Sequence, residues 1–155
     1  MGDSTQLVRQ AMDRLKNFSD TAILKSSLWK TSPVNCPPDS PDFINAVVGL
    51  LPRAHESPEE LLRQLKEMEK EFGRRPKRRM NEPRPLDLDL IVFGRQIRNS
   101  PQLILPHPRA IQRKFVLLPL REVAPHLMLP GQQETVARLA ERLPPGEIAL
   151  RLCEI

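Results

Sequence analysis

The sequence has no tyrosine, a single tryptophan and only 4% aromatic residues. Protein surfaces that read RNA stack bases on aromatic rings, so this composition argues against a nucleic-acid partner. No apolar run approaches the ~20 residues needed to span a bilayer. The Met-Gly-Asp-Ser start lacks the charged-then-apolar pattern of a secretion signal. Cys36 and Cys153 are the only cysteines. They have no metal-ligand spacing and are too few for a disulfide scaffold, so a reducing, cytoplasmic setting without a membrane partner is expected. No repeat and no low-complexity tract is visible.

What is present is a chain of 155 residues, enough for one domain with one proper core. Hydrophobic residues make up 39% and charged residues 28%, the balance of a globular protein. The 17 prolines divide it into short elements and argue against an all-helical bundle. The net charge of +5 is concentrated: Arg74, Arg75, Lys77, Arg78, Arg79 and Arg84 face only Glu82, which leaves the rest of the chain neutral. One intensely basic segment on a neutral body suits a local polyanion such as a triphosphate; a merely solvated loop is the other reading.

Periodicity predicts a helix over 4–18, with Leu7, Ala11, Leu15 and Phe18 on one face and Asp3 or Ser4 as cap. Strands are predicted over 21–31 and 43–51, joined by a proline-rich stretch too long for a tight turn. The clearest helix covers 58–72: Ser57 caps it, Pro58 takes the first position and Gly73 ends it. Its stripe is Leu61, Leu62, Leu65, Met68 and Phe72. Glu69 falls inside that apolar arc at ~100° per residue, or at its edge if the carboxylate reaches water. A strand is predicted over 86–93, another near Gln96–Arg98, and a turn at Pro106-His107-Pro108. A short helix within 109–123, a helix over 134–143 and an edge strand over 147–152 complete the pattern. This order predicts an α+β sandwich with a mainly antiparallel sheet.

Asp87 and Asp89 are the most informative residues. At i and i+2 of a strand they share a face, while Leu86, Leu88 and Leu90 take the other. Adjacent carboxylates repel. Two divalent cations would remove the repulsion, and magnesium completes its shell with phosphate oxygens and water. A solvated sheet face is the plainer reading, but the basic segment just before the pair favours a metal–nucleotide site. Phe43 and Asn45 also share a strand face, where a ring can stack on a flat heterocycle and an amide can read its edge. Phe115 is a candidate second ring; core packing is the alternative for both phenylalanines. His107, held between prolines near Arg109 and Arg113, is a candidate phosphate contact, or bonds only its own loop.

The strings Ser-Pro-Asp-Phe-Ile-Asn-Ala-Val-Val (40–48), Glu69 with Gly73-Arg74, Pro-Arg-Pro-Leu-Asp-Leu-Asp-Leu (83–90) and Leu-Pro-His-Pro (105–108), with Arg-Lys-Phe-Val-Leu (113–117) and Pro119-Leu120, resemble the 6-hydroxymethyl-7,8-dihydropterin pyrophosphokinases in order and spacing. The resemblance covers roughly residues 1–130 of a single domain spanning 1–155, with 131–155 a C-terminal helix and edge strand. It implies a ferredoxin-like α+β fold and transfer of pyrophosphate from ATP to 6-hydroxymethyl-7,8-dihydropterin, releasing AMP, in folate synthesis. By position, Asp87 and Asp89 match the aspartates that bridge two Mg2+ ions bound with ATP. Phe43, Asn45, Phe115 and Thr31 match the pterin contacts. Glu69, His107 and Arg113 match the nucleotide side, and Arg74 and Arg84 the catalytic cations. The segments 32–42 and 74–85 match the two mobile catalytic loops. A monomer with ATP and the pterin as its partners is implied.

Two departures stand out. Family members begin with a strand ending in Gly-Ser-Asn, and Met1-Gly2-Asp3 lines up with the tail of that motif. A mis-assigned start or a truncated chain is therefore expected, with a central strand missing and sheet edges exposed. Family members also often carry Trp-Gly before the Pro-Arg, where this chain has Met80-Asn81-Glu82. The rival functions are a truncated inactive family member and a ferredoxin-like RNA-binding module; two aspartates that repel a phosphate backbone weigh against the latter.

Overall fold

A computed structural model describes residues 2–32, 43–73, 86–143 and 148–151. The first helix, α1 (Gly2–Arg14), tightens into a 3-10 turn over Leu15–Phe18. Strands β1 (Leu24–Lys25), β2 (Trp29–Ser32), β3 (Phe43–Asn45) and β4 (Val48–Gly49) follow. Helix α2 is Pro58–Phe72, and β5 (Arg98–Asn99) pairs with β6 (Ile104–Leu105). A 3-10 turn at Ala110–Gln112 leads into α3 (Lys114–Val123), then α4 (Val136–Glu141) and β7 (Ile148–Arg151). All described pairings are antiparallel. The class is α+β, with β7 the expected edge strand in the order β3-β2-β7.

Helix α2 follows its local signals closely. Ser57 has extended backbone, and its Oγ accepts the Glu60 amide at 3.2 Å. Pro58 occupies the first turn, where its missing N–H is harmless. Gly73 donates to the carbonyl of Glu69 at 3.0 Å and closes the last turn. The inner stripe, Leu61, Leu65 and Met68, meets Leu7 and Ala11 of α1, Leu15 of the 3-10 turn and Leu86 in one buried cluster. A second cluster joins Leu117 and Leu120 of α3 to Val136 and Ala140 of α4. Arg14 and Glu71 pair across the far ends of α1 and α2. Arg98 pairs with Glu59 at 2.6 Å, so β5 is tied to the start of α2.

The two long strands expected over 21–31 and 43–51 are each broken in the middle. Leu24 lies opposite Gly49 and Lys25 opposite Val48, whereas Trp29 lies opposite Asn45 and Thr31 opposite Phe43. Ser26, Ser27 and Leu28 separate the two ladders on one side, and only Ala46 and Val47 on the other. One strand therefore holds an extra residue, which is a β-bulge. Buried Ser26 repairs the ladder there. Its amide donates to the Val47 carbonyl at 2.9 Å, and its Oγ accepts the Val47 amide at 2.8 Å and donates to the Ser27 carbonyl at 2.8 Å.

Residues 86–93 depart from expectation. They form no β-ladder among the described residues. The alternation of a strand is kept, since Leu86 is buried, Leu88 and Leu90 pack against the α1–α2 cluster, and Asp87 and Asp89 face out. Side-chain pattern fixes which face is buried, but a ladder also needs a neighbour to receive its backbone groups. Here one of those groups, the Leu88 amide, bonds the side chain of Glu69 instead.

Replacing Ser26 with alanine removes both roles of its hydroxyl and strands the Val47 amide. The expected loss is about 1–3 kcal/mol of unfolding free energy, measured by urea denaturation. A loss within error would show that the bulge does not depend on this side chain.

Candidate active site

The acidic pair is positioned by a helix rather than by a sheet. Glu69, only 9% exposed on the inner side of α2, accepts the Leu88 amide on Oε2 at 2.6 Å. Its Oε1 lies 3.3 Å from Lys66 Nζ, one turn earlier. Leu88 sits between Asp87 and Asp89, so this bond sets the height of both carboxylates above the core. It also explains a carboxylate inside an apolar stripe: the alternative, that Glu69 reaches water at the edge, does not hold.

A second tether comes from the turn after β6. The His107 amide donates to the Ile91 carbonyl at 2.8 Å. The His107 ring is held by its own loop, with Nδ1 accepting the Arg109 amide at 3.3 Å. In the neutral ring the proton is then on Nε2. Asp89 feels the neighbouring groups. Partial loss of water and the charge of Asp87 push its carboxyl above the ordinary aspartate value, while His107 and Lys66 pull it back. The backbone bond to Ile91 ties His107 to the same segment as Asp87 and Asp89, two residues past Asp89. Lys66 was not foreseen, although its i,i+3 spacing to Glu69 was available as a signal.

The other group lies on the bulged hairpin and on α3. Thr31 and Phe43 are opposite each other, and Asn45 is opposite Trp29. In an antiparallel ladder, positions 29, 31, 43 and 45 fall on one face. Helix α3 packs against β2, β3 and β4. At its start, the Arg113 guanidinium lies 5.3 Å from the centre of the Phe115 ring, a cation–π contact that orients both. Arg74 and Arg84 lie outside the described residues, as do most of the expected loop 32–42 and all of 74–85.

Two exposed carboxylates on alternate residues suit a hard cation. Among the described residues no three His, Cys, Asp or Glu side chains gather into a full protein cage. Magnesium needs no such cage, because one or two carboxylates suffice when phosphates and water fill its shell. The residues present therefore fit magnesium brought in with a nucleotide. No helix among the described residues is long and apolar enough to cross a membrane.

A family model described as 7,8-dihydro-6-hydroxymethylpterin-pyrophosphokinase matches residues 1–125. The chain belongs to this family. It is 40% identical over 133 residues to a 2-amino-4-hydroxy-6-hydroxymethyldihydropteridine pyrophosphokinase of Synechocystis, covering 86% of this chain and 66% of that protein. The enzyme of the same name from Haemophilus influenzae is 38% identical over 124 residues, covering 79% of this chain and 75% of that protein. The folic acid synthesis protein fol1 of Pneumocystis carinii is 34% identical over 143 residues; these are 92% of this chain but 19% of the fungal protein.

The raised Asp89 carboxyl yields a stability test. Its protonated form is favoured in the folded chain, so its charge opposes folding at neutral pH. In the presence of EDTA, Asp89→Asn is expected to melt above the parent at pH 7. The gap should close as the pH falls below the ordinary aspartate value of 3.8, where the carboxyl is protonated in both states. A variant that melts lower at pH 7 would contradict this.

Proposed function

We propose that this chain transfers the pyrophosphoryl group of ATP to the hydroxymethyl oxygen of 6-hydroxymethyl-7,8-dihydropterin, releases AMP, and so serves folate synthesis. The observation that carries the reading is the outward Asp87–Asp89 pair, anchored through Leu88 to Glu69 and lying close to His107, in a chain of this family. The enzyme acts as a cytoplasmic monomer, with ATP and the pterin as its partners.

Asp87 and Asp89 would hold two Mg2+ ions bound with ATP. Bound there, magnesium would offset the negative charge of the phosphates. Glu69 keeps the two carboxylates at a fixed height, and His107 and Arg113 take the nucleotide side. Arg74 and Arg84 supply further positive charge to the phosphate groups, as the concentrated charge of their segment suggests. On the other side, Asn45 reads the edge of the pterin and Thr31 adds a polar contact. Phe43 and Phe115 stack on its two faces. Arg113 covers one face of Phe115, so a pterin on the opposite face would complete a stack. A flat substrate held this way keeps its hydroxyl in line with the phosphoryl group it attacks.

The finer architecture we infer is a ferredoxin-like α/β sandwich. In it, residues 86–93 present the alternating faces of an inner strand, with Glu69 receiving the Leu88 amide. Their alternation and their packing on the α1–α2 cluster support this placement.

The direct test is a coupled assay of AMP release from Mg-ATP and the pterin. Asp89→Ala should lower turnover about a thousandfold with unchanged circular dichroism, the scale expected when an electrostatic contact to the reacting group is lost. Phe43→Ala should raise the KM for pterin far more than the KM for ATP. An unchanged rate for the first, or equal KM effects for the second, would overturn these assignments.

A further inference from the structure

The bulge in the hairpin is closed by a side chain from a different element. Ser27 falls between the two ladders, and its amide donates to Oε1 of Glu122 at 3.1 Å. The Ser27 hydroxyl donates to Oε2 of the same carboxylate at 2.7 Å. The indole Nε1 of Trp29 donates to Oε1 at 2.6 Å. Three donors from one corner of the hairpin thus converge on an acceptor-only group in the last turn of α3. The Trp29 side of this clasp is well packed, since Trp29 is only 9% exposed.

The clasp joins the two surfaces that matter for the pterin. Trp29 begins β2 and lies opposite Asn45, with Thr31 and Phe43 the next pair on the same face. On α3, Glu122 is seven residues beyond Phe115. Seven residues are close to two turns, so the two side chains leave the same helix face about 10 Å apart. A bulge re-aims the residues beside it. Whatever fixes this bulge against α3 fixes the spacing between the ladder face and the Phe115 face.

We propose that Glu122 is a positioning residue for pterin binding: by clasping the Ser27–Trp29 bulge to α3, its carboxylate sets the width of the slot in which the flat heterocycle stacks. This rests on the functional reading given above, which places the pterin between β3 and the start of α3. Glutamine should preserve the clasp. Its carbonyl oxygen can accept both N–H groups, and its amide can donate to the Ser27 hydroxyl, which is free to turn as acceptor. Alanine removes every acceptor.

The test compares Glu122→Ala, Glu122→Gln, Trp29→Phe and Asn45→Ala. The Kd of 6-hydroxymethylpterin, a non-reacting probe, and the KM values for the reduced pterin and for Mg-ATP are measured for each. Glu122→Ala is expected to weaken pterin binding about 10- to 100-fold, the scale of an ångström-sized misplacement, with the KM for ATP within about twofold. Glu122→Gln should restore pterin binding to within about threefold of the parent, since only its charge is lost. Trp29 is the only tryptophan, so its emission should shift in Glu122→Ala and return in Glu122→Gln. A folded Glu122→Ala with unchanged pterin affinity, an equal loss for both substrates, or a glutamine variant as impaired as alanine would each overturn the proposal. Should Glu122→Ala fail to fold, Trp29→Phe removes one donor and keeps a ring. It should show the same substrate split at about threefold, and no split overturns the proposal. Asn45→Ala separates the two levels. If it leaves pterin affinity unchanged, the functional reading falls and this inference with it. If it weakens pterin binding while Glu122→Ala does not, the inference alone falls.

Discussion

The bond from the Leu88 amide to the Glu69 carboxylate holds the outward acidic pair in place. Residues 86–93 have the side-chain pattern of a strand but no ladder among the described residues. A segment in that state needs another receiver for its amides, because a buried, unpaired N–H is costly. Glu69 provides one at the residue between the two aspartates. The His107 amide, bonded to the Ile91 carbonyl, provides a second anchor two residues past Asp89. Asp87 and Asp89 are thereby directed outward from a fixed base, while Leu86, Leu88 and Leu90 secure the opposite face on α1 and α2.

The same physical solution recurs on the other side. The extra residue in the β1–β4 and β2–β3 hairpin interrupts its ladder, and a helix carboxylate again takes up a backbone amide, Glu122 for Ser27. In each case a rigid helix supplies an acceptor to an extended segment where strand pairing fails. The helix then dictates where the functional side chains of that segment stand. An amide bonded to a neighbouring strand would be held only as firmly as the sheet. An amide bonded to a side chain on a packed helix is tied to the core, which suits residues that must meet a substrate at fixed distances.

How much of this was legible in the sequence depended on whether the signal was local. Helix α2 begins and ends where Ser57, Pro58 and Gly73 say it should, because capping involves neighbours in the chain. Glu69 was legible as an anomaly, a carboxylate in an apolar arc, but its partner was not, since nothing local couples position 69 to position 88. The alternation at 86–90 was read correctly as to faces, yet not as to pairing. The bulge was hidden for a related reason. Each strand alone reads as one continuous run, and the missing residue shows only when Trp29 is set against Asn45 and Lys25 against Val48. Glu122 passed unnoticed within an amphipathic helix, although its seven-residue spacing from Phe115 put it on a shared face.

The electrostatics of the acidic pair link this architecture to its chemistry. Asp89 is held where water is partly excluded and Asp87 is a near neighbour, so charging both is unfavourable in the folded chain. His107 and Lys66 offset only part of that. Helix packing and the Glu69 bond therefore hold Asp89 where its charged form is less favoured than in the unfolded chain. Such an arrangement contributes nothing to stability by itself. Positive charge brought to the pair would relieve this repulsion. On the function proposed above, that charge would come from magnesium bound with ATP, and the relief would favour the metal- and nucleotide-bound state over the empty one.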